Sequence, residues 1–372
     1  GIYIHIPFCK QACFYCDFHF SVNQKQKQEM VDAIVKELIL QKNYFEGEQI
    51  ETIYFGGGTP SILDITQIQS ILSTIENNFS ITTSPEITLE ANPDDLDAEK
   101  AASLKQAGIN RLSIGIQSFN EGFLKWMNRA HNAVQSLNAV AISKAAGIDN
   151  ISIDLIYGVP APDHCIWGND LKTAISLDVN HISAYSLTIE PKTVFGRKLK
   201  KGELPVASDQ FALTQFEMLI EKLETNGFIH YEISNFGMES YFSRHNTSYW
   251  LNQKYLGVGP SAHSYNGEQR QYNIASNGKY IAAIIQGNIP AETEVLTPAN
   301  KANELLLTGL RTIWGIDLNQ IYRFKGLNTD IFQKEMQQYL DSGDLILNNG
   351  RLTISKKGKF IADRIISDLF FV

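Results

Sequence analysis

The sequence predicts an α/β protein: a partial (β/α)6 TIM-like barrel, then an α+β region ending in a winged-helix-like module. Three observations carry this. Before about residue 205, short apolar runs alternate six times with helical periodicity, the pattern of parallel strands joined by crossover helices. Beyond about Pro191 the alternation breaks into one long helix and Gly-rich, aromatic turns. From Thr297, short helices flank two brief strands that meet at Asn348-Asn349-Gly350, a strong hairpin signal. The expected division is 1–205, 206–296 and 297–372.

The barrel strands are expected at Tyr3–Ile6, Thr52–Phe55, Glu86–Ala91, Arg111–Ile116, Asn150–Ile156 and His181–Thr188. Between them, Met30, Ile34 and Leu38 recur at helical spacing, as do Ile68, Ile71, Leu72 and Ile75. Ala101, Leu104 and Ala107 mark a third helix that Gly108 stops. Ala133–Ala146 and Trp167–Leu177 are the fourth and fifth. The second region reads as a helix over Asp209–Asn226, a strand over Phe228–Ile233, and a helix near Lys279–Gln286. In the last, Glu304–Thr312, Ile331–Leu340 and Lys356–Leu369 are helical, and Leu345–Leu347 pairs with Arg351–Ile354.

In such a barrel the loops after the strands build the site, so chemically loaded segments should follow strands. Cys9, Cys13 and Cys16 follow the first, at spacings of four and three. Three thiols on one short loop cannot all pair with one another, and packed cysteines of this kind hold metal. A 4Fe–4S cluster held by three of them keeps one iron open. The alternatives are a zinc knuckle completed by His5 or His19, or buried free thiols; Cys165 is a further candidate for a fourth metal ligand. Gly56-Gly57-Gly58-Thr59-Pro60 follows the second strand, where bare backbone lets a ligand approach, or simply makes a tight turn. Glu90 ends the third strand and Gln117 the fourth. Arg129 lies on the polar stretch beyond it. Asp154 sits between Ile153 and Leu155, where an acid is costly unless paired or facing a polar site.

Composition bounds the rest. An apolar content of 44% and a charged content of 19% suit a globular core. A net charge of −8 without a dense basic block argues against a nucleic-acid partner; Lys192–Lys201, with five Lys/Arg, reads as a solvated loop. No stretch reaches the ~18–20 apolar residues of a membrane span. No signal peptide is legible, and four cysteines, three of them clustered, suit a reducing compartment, with cytoplasm as the default.

Tyr3-Ile-His5-Ile-Pro7-Phe-Cys9 with Cys13 and Cys16, Gly56–Pro60, Glu90, Arg111–Gln117 and Asp154–Gly158 together resemble the HemN/HemW branch of the radical S-adenosylmethionine (SAM) superfamily. The resemblance covers the whole chain. It implies a radical SAM barrel in which Cys9, Cys13 and Cys16 hold a 4Fe–4S cluster. Gly57, Gly58 and Thr59 would lie along the methionyl end of SAM, with Arg129 near its carboxylate. Gln117 and Asp154 would reach the ribose hydroxyls, and Tyr3, Tyr15 and Glu90 would line the pocket. An amide and a carboxylate suit a diol, and a cation suits a carboxylate.

Two features separate the branches. The oxygen-independent coproporphyrinogen oxidases have a further cysteine two positions after the third, where this chain has Phe18. His245-Asn246-Thr247-Ser248-Tyr249-Trp250 matches the HNxxYW motif of HemW haem chaperones, which implies haem contact by His245, Asn246, Tyr249 and Trp250. An imidazole can ligate haem iron, and Tyr and Trp faces pack on a porphyrin; the same residues also suit a core turn. The expectation is a haem chaperone using cluster and SAM, with haem as cargo and no coproporphyrinogen oxidase activity. Its partner is a recipient haemoprotein, a respiratory one among the candidates, and transient membrane-surface contact and dimerisation are left open. The alternative is a coproporphyrinogen III oxidase that removes hydrogen and carbon dioxide from propionates, and a third reading is a zinc or winged-helix binding module.

Overall fold

The computed structural model describes residues 1–371. Six parallel strands run in order through the first half: β1 (Ile2–Ile6), β2 (Ile50–Gly57), β3 (Ile81–Ala91), β4 (Arg111–Gln117), β5 (Asn150–Tyr157) and β6 (His181–Ser186). The crossovers contain α1 (Lys27–Leu40), α2 (Ile65–Asn78), α3 (Ala98–Gln106), α4 (Glu121–Trp126) with α5 (Ala133–Ala145), and α6 (Cys165–Ser176). Helix starts follow local chemistry. At α5, Asn132 Oδ1 accepts from the Gln135 N–H and Gln135 Oε1 accepts from the Asn132 N–H, both at 2.9 Å, a reciprocal cap.

Strand alternation sorts the side chains. Ile2, Ile4, Ile53, Phe55, Leu112, Ile114, Ile151, Ile153 and Ile182 point outward and bury against helix residues such as Ile34, Ile71 and Leu171. Truncating one of them to Ala would cost about 2–5 kcal/mol. The opposite face is polar: Tyr3, Thr52, Tyr54, Glu86, Glu90, Arg111, Ser113, Ser152, Asp154, His181 and Ser183 point into the barrel. Register aligns them in layers, with Tyr3 beside Tyr54, Ser113 beside Ser152, and Asp154 beside Ser183.

The chain continues through α7 (Val194–Lys200), α8 (Asp209–Thr225), β7 (Ile229–Glu232), β8 (Asn235–Gly237), α9 (Arg244–Trp250), β9 (Leu256–Val258), β10 (His263–Tyr265), β11 (Gln269–Asn273), α10 (Asn277–Ile285) and β12 (Ala291–Val295). Beyond residue 205 the chain adds strands to the same sheet as the barrel. β8 and β7 add antiparallel beyond β6, and β9 adds parallel beyond β1, giving one nine-stranded sheet. Buried Glu37 of α1 fastens this region, accepting from the Gly259 N–H (2.8 Å), Asn273 Nδ2 (2.7 Å) and the Tyr280 hydroxyl (2.5 Å). The basic stretch 192–201 is not a loop: Thr193 caps α7 and Phe195 buries, leaving the cations outside. Expected strand His181–Thr188 stops at Ser186, after which the Leu187 N–H turns back to the Tyr157 carbonyl.

The C-terminal unit holds α11 (Pro298–Gly309), β13 (Ile316–Asp317), α12 (Leu318–Tyr322), α13 (Thr329–Asp341), β14 (Leu345–Asn348), β15 (Arg351–Ile354) and α14 (Ala362–Asp368). Its three strands form their own sheet, and Leu306, Ile321, Phe332, Leu352 and Ile365 form a separate core. Residues 311–313 pair along β7, so this unit covers that sheet edge. Among the described residues, no helix is long and apolar enough to cross a membrane.

Candidate functional site

Pro7 ends β1 and the cysteine loop begins at the C-terminal end of the barrel. Its two ends are tied where the Cys9 N–H donates to the Ser21 carbonyl (3.0 Å) and the Ser21 N–H to the Pro7 carbonyl (2.9 Å). Its middle is latched to the segment after α4: the Phe14 N–H bonds the Met127 carbonyl, and Asn128 Nδ2 bonds the Ala12 carbonyl at 2.8 Å. Cys9 is buried, Cys13 and Cys16 half-buried, and all three thiols are free.

The glycine turn brings backbone against this loop. Gly57 has φ of +111°, a region that favours glycine, and a Cβ there would lie 2.7 Å from the His5 ring. A Cβ on Gly58 would lie 2.6 Å from the Phe8 carbonyl oxygen and 3.0 Å from Cys9 Sγ. Thr59 then donates its hydroxyl to Cys9 Sγ at 3.3 Å. Gln117 is also left-handed, with φ of +69°, at a register shift between β4 and β5. Its side chain lines the cavity, as do Gly115 and Ser113, two and four residues before it on the same strand face.

Arg129 knits three elements together. Nη1 donates to Cys13 Sγ (3.1 Å) and the Tyr15 hydroxyl (3.2 Å), and Nη2 to Asn92 Oδ1 and the Gly115 carbonyl, both 2.7 Å. Deeper in, Glu90 accepts from the Tyr54 hydroxyl (2.8 Å) and the Gly57 N–H (3.2 Å). Ser113 donates to Asp154 at 3.2 Å. Burial pushes the Glu90 carboxyl up to about 7, with Asp154 adding to the rise; burial pushes Asp154 up to about 6.

These groups surround a cavity of about 540 Å³, within the ~300–1,000 Å³ of small-molecule sites. Cys9, Cys13, Tyr15, Cys16, Gly57, Gly58, Thr59, Glu90, Gln117, Arg129 and Asp154 all line it. Tyr3 does not. Its hydroxyl bonds His5 Nδ1 at 3.2 Å and its ring packs in the layer beneath. Sequence reasoning missed Asn92, Ser113, Gly115 and Tyr185, which also line the cavity. The alternation of Arg111, Ser113 and Gly115 against Leu112, Ile114 and Ile116 was the available signal for two of them.

The donor set fits an iron–sulfur cluster. Burial pushes the Cys9 thiol up to about 11 and the Cys16 thiol up to about 12, so thiolates here require a cationic centre. Among the described residues, no three His, Cys, Asp or Glu side chains converge to enclose one metal ion. A cluster spreads its ligands over several irons. His5 is not free to complete a metal site, because its Nε2 bonds the His19 carbonyl at 2.9 Å and its Nδ1 bonds the Tyr3 hydroxyl at 3.2 Å. Cys165 lies exposed at the start of α6, away from the cavity lining.

His245, Asn246, Tyr249 and Trp250 do not reach this cavity. They lie on α9, which closes the opposite end of the barrel, against the beginnings of β2 and β3. The Glu86 carboxylate caps α9 by accepting from the N–H groups of Arg244 (3.1 Å) and His245 (3.0 Å). His245 is buried, with Nδ1 bonded to the Thr52 hydroxyl and Nε2 to the Tyr249 hydroxyl, each at 2.7 Å. Neither nitrogen has a lone pair free for iron in this conformation. Tyr249 packs edge-on against Tyr255, and the Trp250 indole N–H is buried without a partner.

The chain is similar to known proteins over nearly its whole length. Residues 3–168 fit the radical SAM superfamily. Two full-length relatives are named Heme chaperone HemW. That of Bacillus subtilis is 33% identical over 367 residues, 98% of this chain and 97% of that protein. That of Lactococcus lactis is 34% identical over 361 residues, covering 96% and 93%. Among solved structures, the coproporphyrinogen III oxidase HemN of Escherichia coli, described as a radical SAM enzyme, superposes with a TM-score of 0.85 at 23% identity. It covers 100% of this chain and 89% of that one, a likeness of fold. With one-third identity sustained over nearly its whole length, the chain belongs to the HemW family of the radical SAM superfamily.

Proposed function

We propose that this protein is a haem chaperone that binds haem and transfers it to haemoproteins, working in the cytoplasm with a 4Fe–4S cluster and SAM. The carrying observation is one-third identity over nearly the full length to two proteins named Heme chaperone HemW. In this reading residues 1–205 form the cofactor barrel, 206–296 its HemW-type extension, and 297–372 a winged-helix-like cap. Cys9, Cys13 and Cys16 hold the cluster, whose chemistry when bound is electron delivery to SAM. Arg129 spans the cysteine loop, Asn92 just beyond β3, and β4, and supplies the cation for a carboxylate beside Cys13. Gly57 and Gly58 keep that side of the cavity free of side chains, and Glu90, Gln117 and Asp154 present acceptors to amine and hydroxyl donors. Recipient haemoproteins, respiratory or otherwise, take the cargo.

Visible titration of anaerobically reconstituted protein with haem tests this. A saturable Soret shift near one haem per chain is expected, from protein carrying about four irons per chain. Absence of saturable binding would reject the chaperone reading. The same preparation, given reductant, SAM and coproporphyrinogen III, is expected to form no protoporphyrinogen; Phe18 stands 70% exposed on the loop where the oxidases have a further cysteine.

A further inference from the structure

We infer that His245 is a positioning residue for the cofactor cavity, acting through Tyr54 on Glu90, rather than a ligand to iron. The inference rests on the reading above that the cavity binds SAM. Its own observation is a relay of one stacked ring pair and one hydrogen bond that leads from α9 to the cavity. The His245 imidazole lies flat on the Tyr54 ring, with centroids 4.9 Å apart and planes 22° apart. Tyr54 in turn donates its hydroxyl to Glu90, at 2.8 Å. The second Glu90 oxygen accepts from Gly57, so this carboxylate also holds the glycine turn that faces Cys9.

The imidazole is itself locked from both sides, by Thr52 of β2 and by Tyr249 one helical turn along α9. The helix beneath is fixed by Glu86, which sits on the same strand and face as Glu90. Tyr54 has no freedom to swing down while the imidazole fills the space below it. Its hydroxyl therefore stays aimed at one carboxylate oxygen and leaves the other oriented on Gly57. A histidine suits this place because its two nitrogens bond opposite neighbours while its face stays available for packing. Without the ring, the phenol gains a second position and Glu90 loses its fixed donor.

The test is a double-mutant cycle read by SAM binding. SAM affinity of anaerobically reconstituted protein is measured by equilibrium dialysis for the wild type, His245→Ala, Tyr54→Phe and the double variant. Haem affinity of each is measured by Soret titration. Each single change is expected to weaken SAM binding about tenfold, the worth of one hydrogen bond to a charged group. The double variant is expected to be no weaker than about the weaker-binding single, because both changes release the same carboxylate. Haem affinity of His245→Ala should stay within about twofold of wild type, with the same Soret position. Full additivity in the cycle, or wild-type SAM affinity in His245→Ala, would overturn the inference. So would loss of haem binding with SAM binding intact. A wild-type protein that binds no SAM would defeat the cavity reading first and this one with it. Should His245→Ala fail to fold, His245→Gln keeps the bond to Thr52 without the stacked ring and is judged by the same criteria.

Discussion

Asp154 faces the cavity from the fifth strand with the hydroxyls of Ser113 and Ser183 beside it. Burial holds its pKa near 6 in the fold, against about 3.8 when unfolded. The folded state therefore keeps a proton that the unfolded chain gives up above about pH 4. Stability conferred by the neutral acid is lost as pH rises from about 4 to 6 and stays lost above that. Asp154→Asn should stabilise the cofactor-free protein at pH 7.5 by about 1 kcal/mol, a figure discounted for water in the cavity. The gain should vanish near pH 3.8, which urea unfolding at the two pH values checks. The same residue shows what sequence can convey at this scale. An acid flanked by two isoleucine-like neighbours is conspicuous, and a cysteine triplet is local, so both were legible. Tyr54 was not, because its role depends on Glu90 of the next strand and His245 of a distant helix.

At the scale of elements, the turn after β2 is the most constrained. Gly58 leaves so little space beside Phe8 and Cys9 that an added methyl must displace backbone. Gly58→Ala should lower iron retained after anaerobic reconstitution by at least about half while leaving the far-ultraviolet spectrum unchanged, since the strain falls on the cysteine loop. Unaltered iron content would refute that account of the turn. The six strands and five crossover helices were readable because their outward faces are apolar at regular spacing. α9 escaped notice for a physical reason. Asn, Thr, Tyr and Trp are weak helix formers, and seven residues are too few to sustain a helix alone; the Ser243 and Glu86 caps and the barrel beneath create it. β9 is likewise three residues that become a strand by meeting the free edge of β1.

For the whole molecule, the C-terminal unit matters most where it meets β7. The Ile233 N–H bonds the Arg311 carbonyl and the Ile313 N–H bonds the Tyr231 carbonyl, both at 3.0 Å. Trp314 packs near Tyr231 and Phe242. Removing residues 297–372 would expose an unpaired strand edge and these aromatic faces together. The truncated protein is expected to aggregate rather than remain monomeric, which size-exclusion chromatography with light scattering reads directly. A monomeric, cofactor-binding truncation would show the cap to be dispensable.

The closed end of the barrel has a kinetic corollary. Ser152 and His181 at that end are 0% exposed and Arg111 1%, so nothing passes there while α9 is seated. Traffic through the cavity is therefore turned away from α9, toward the end where the cysteine loop lies.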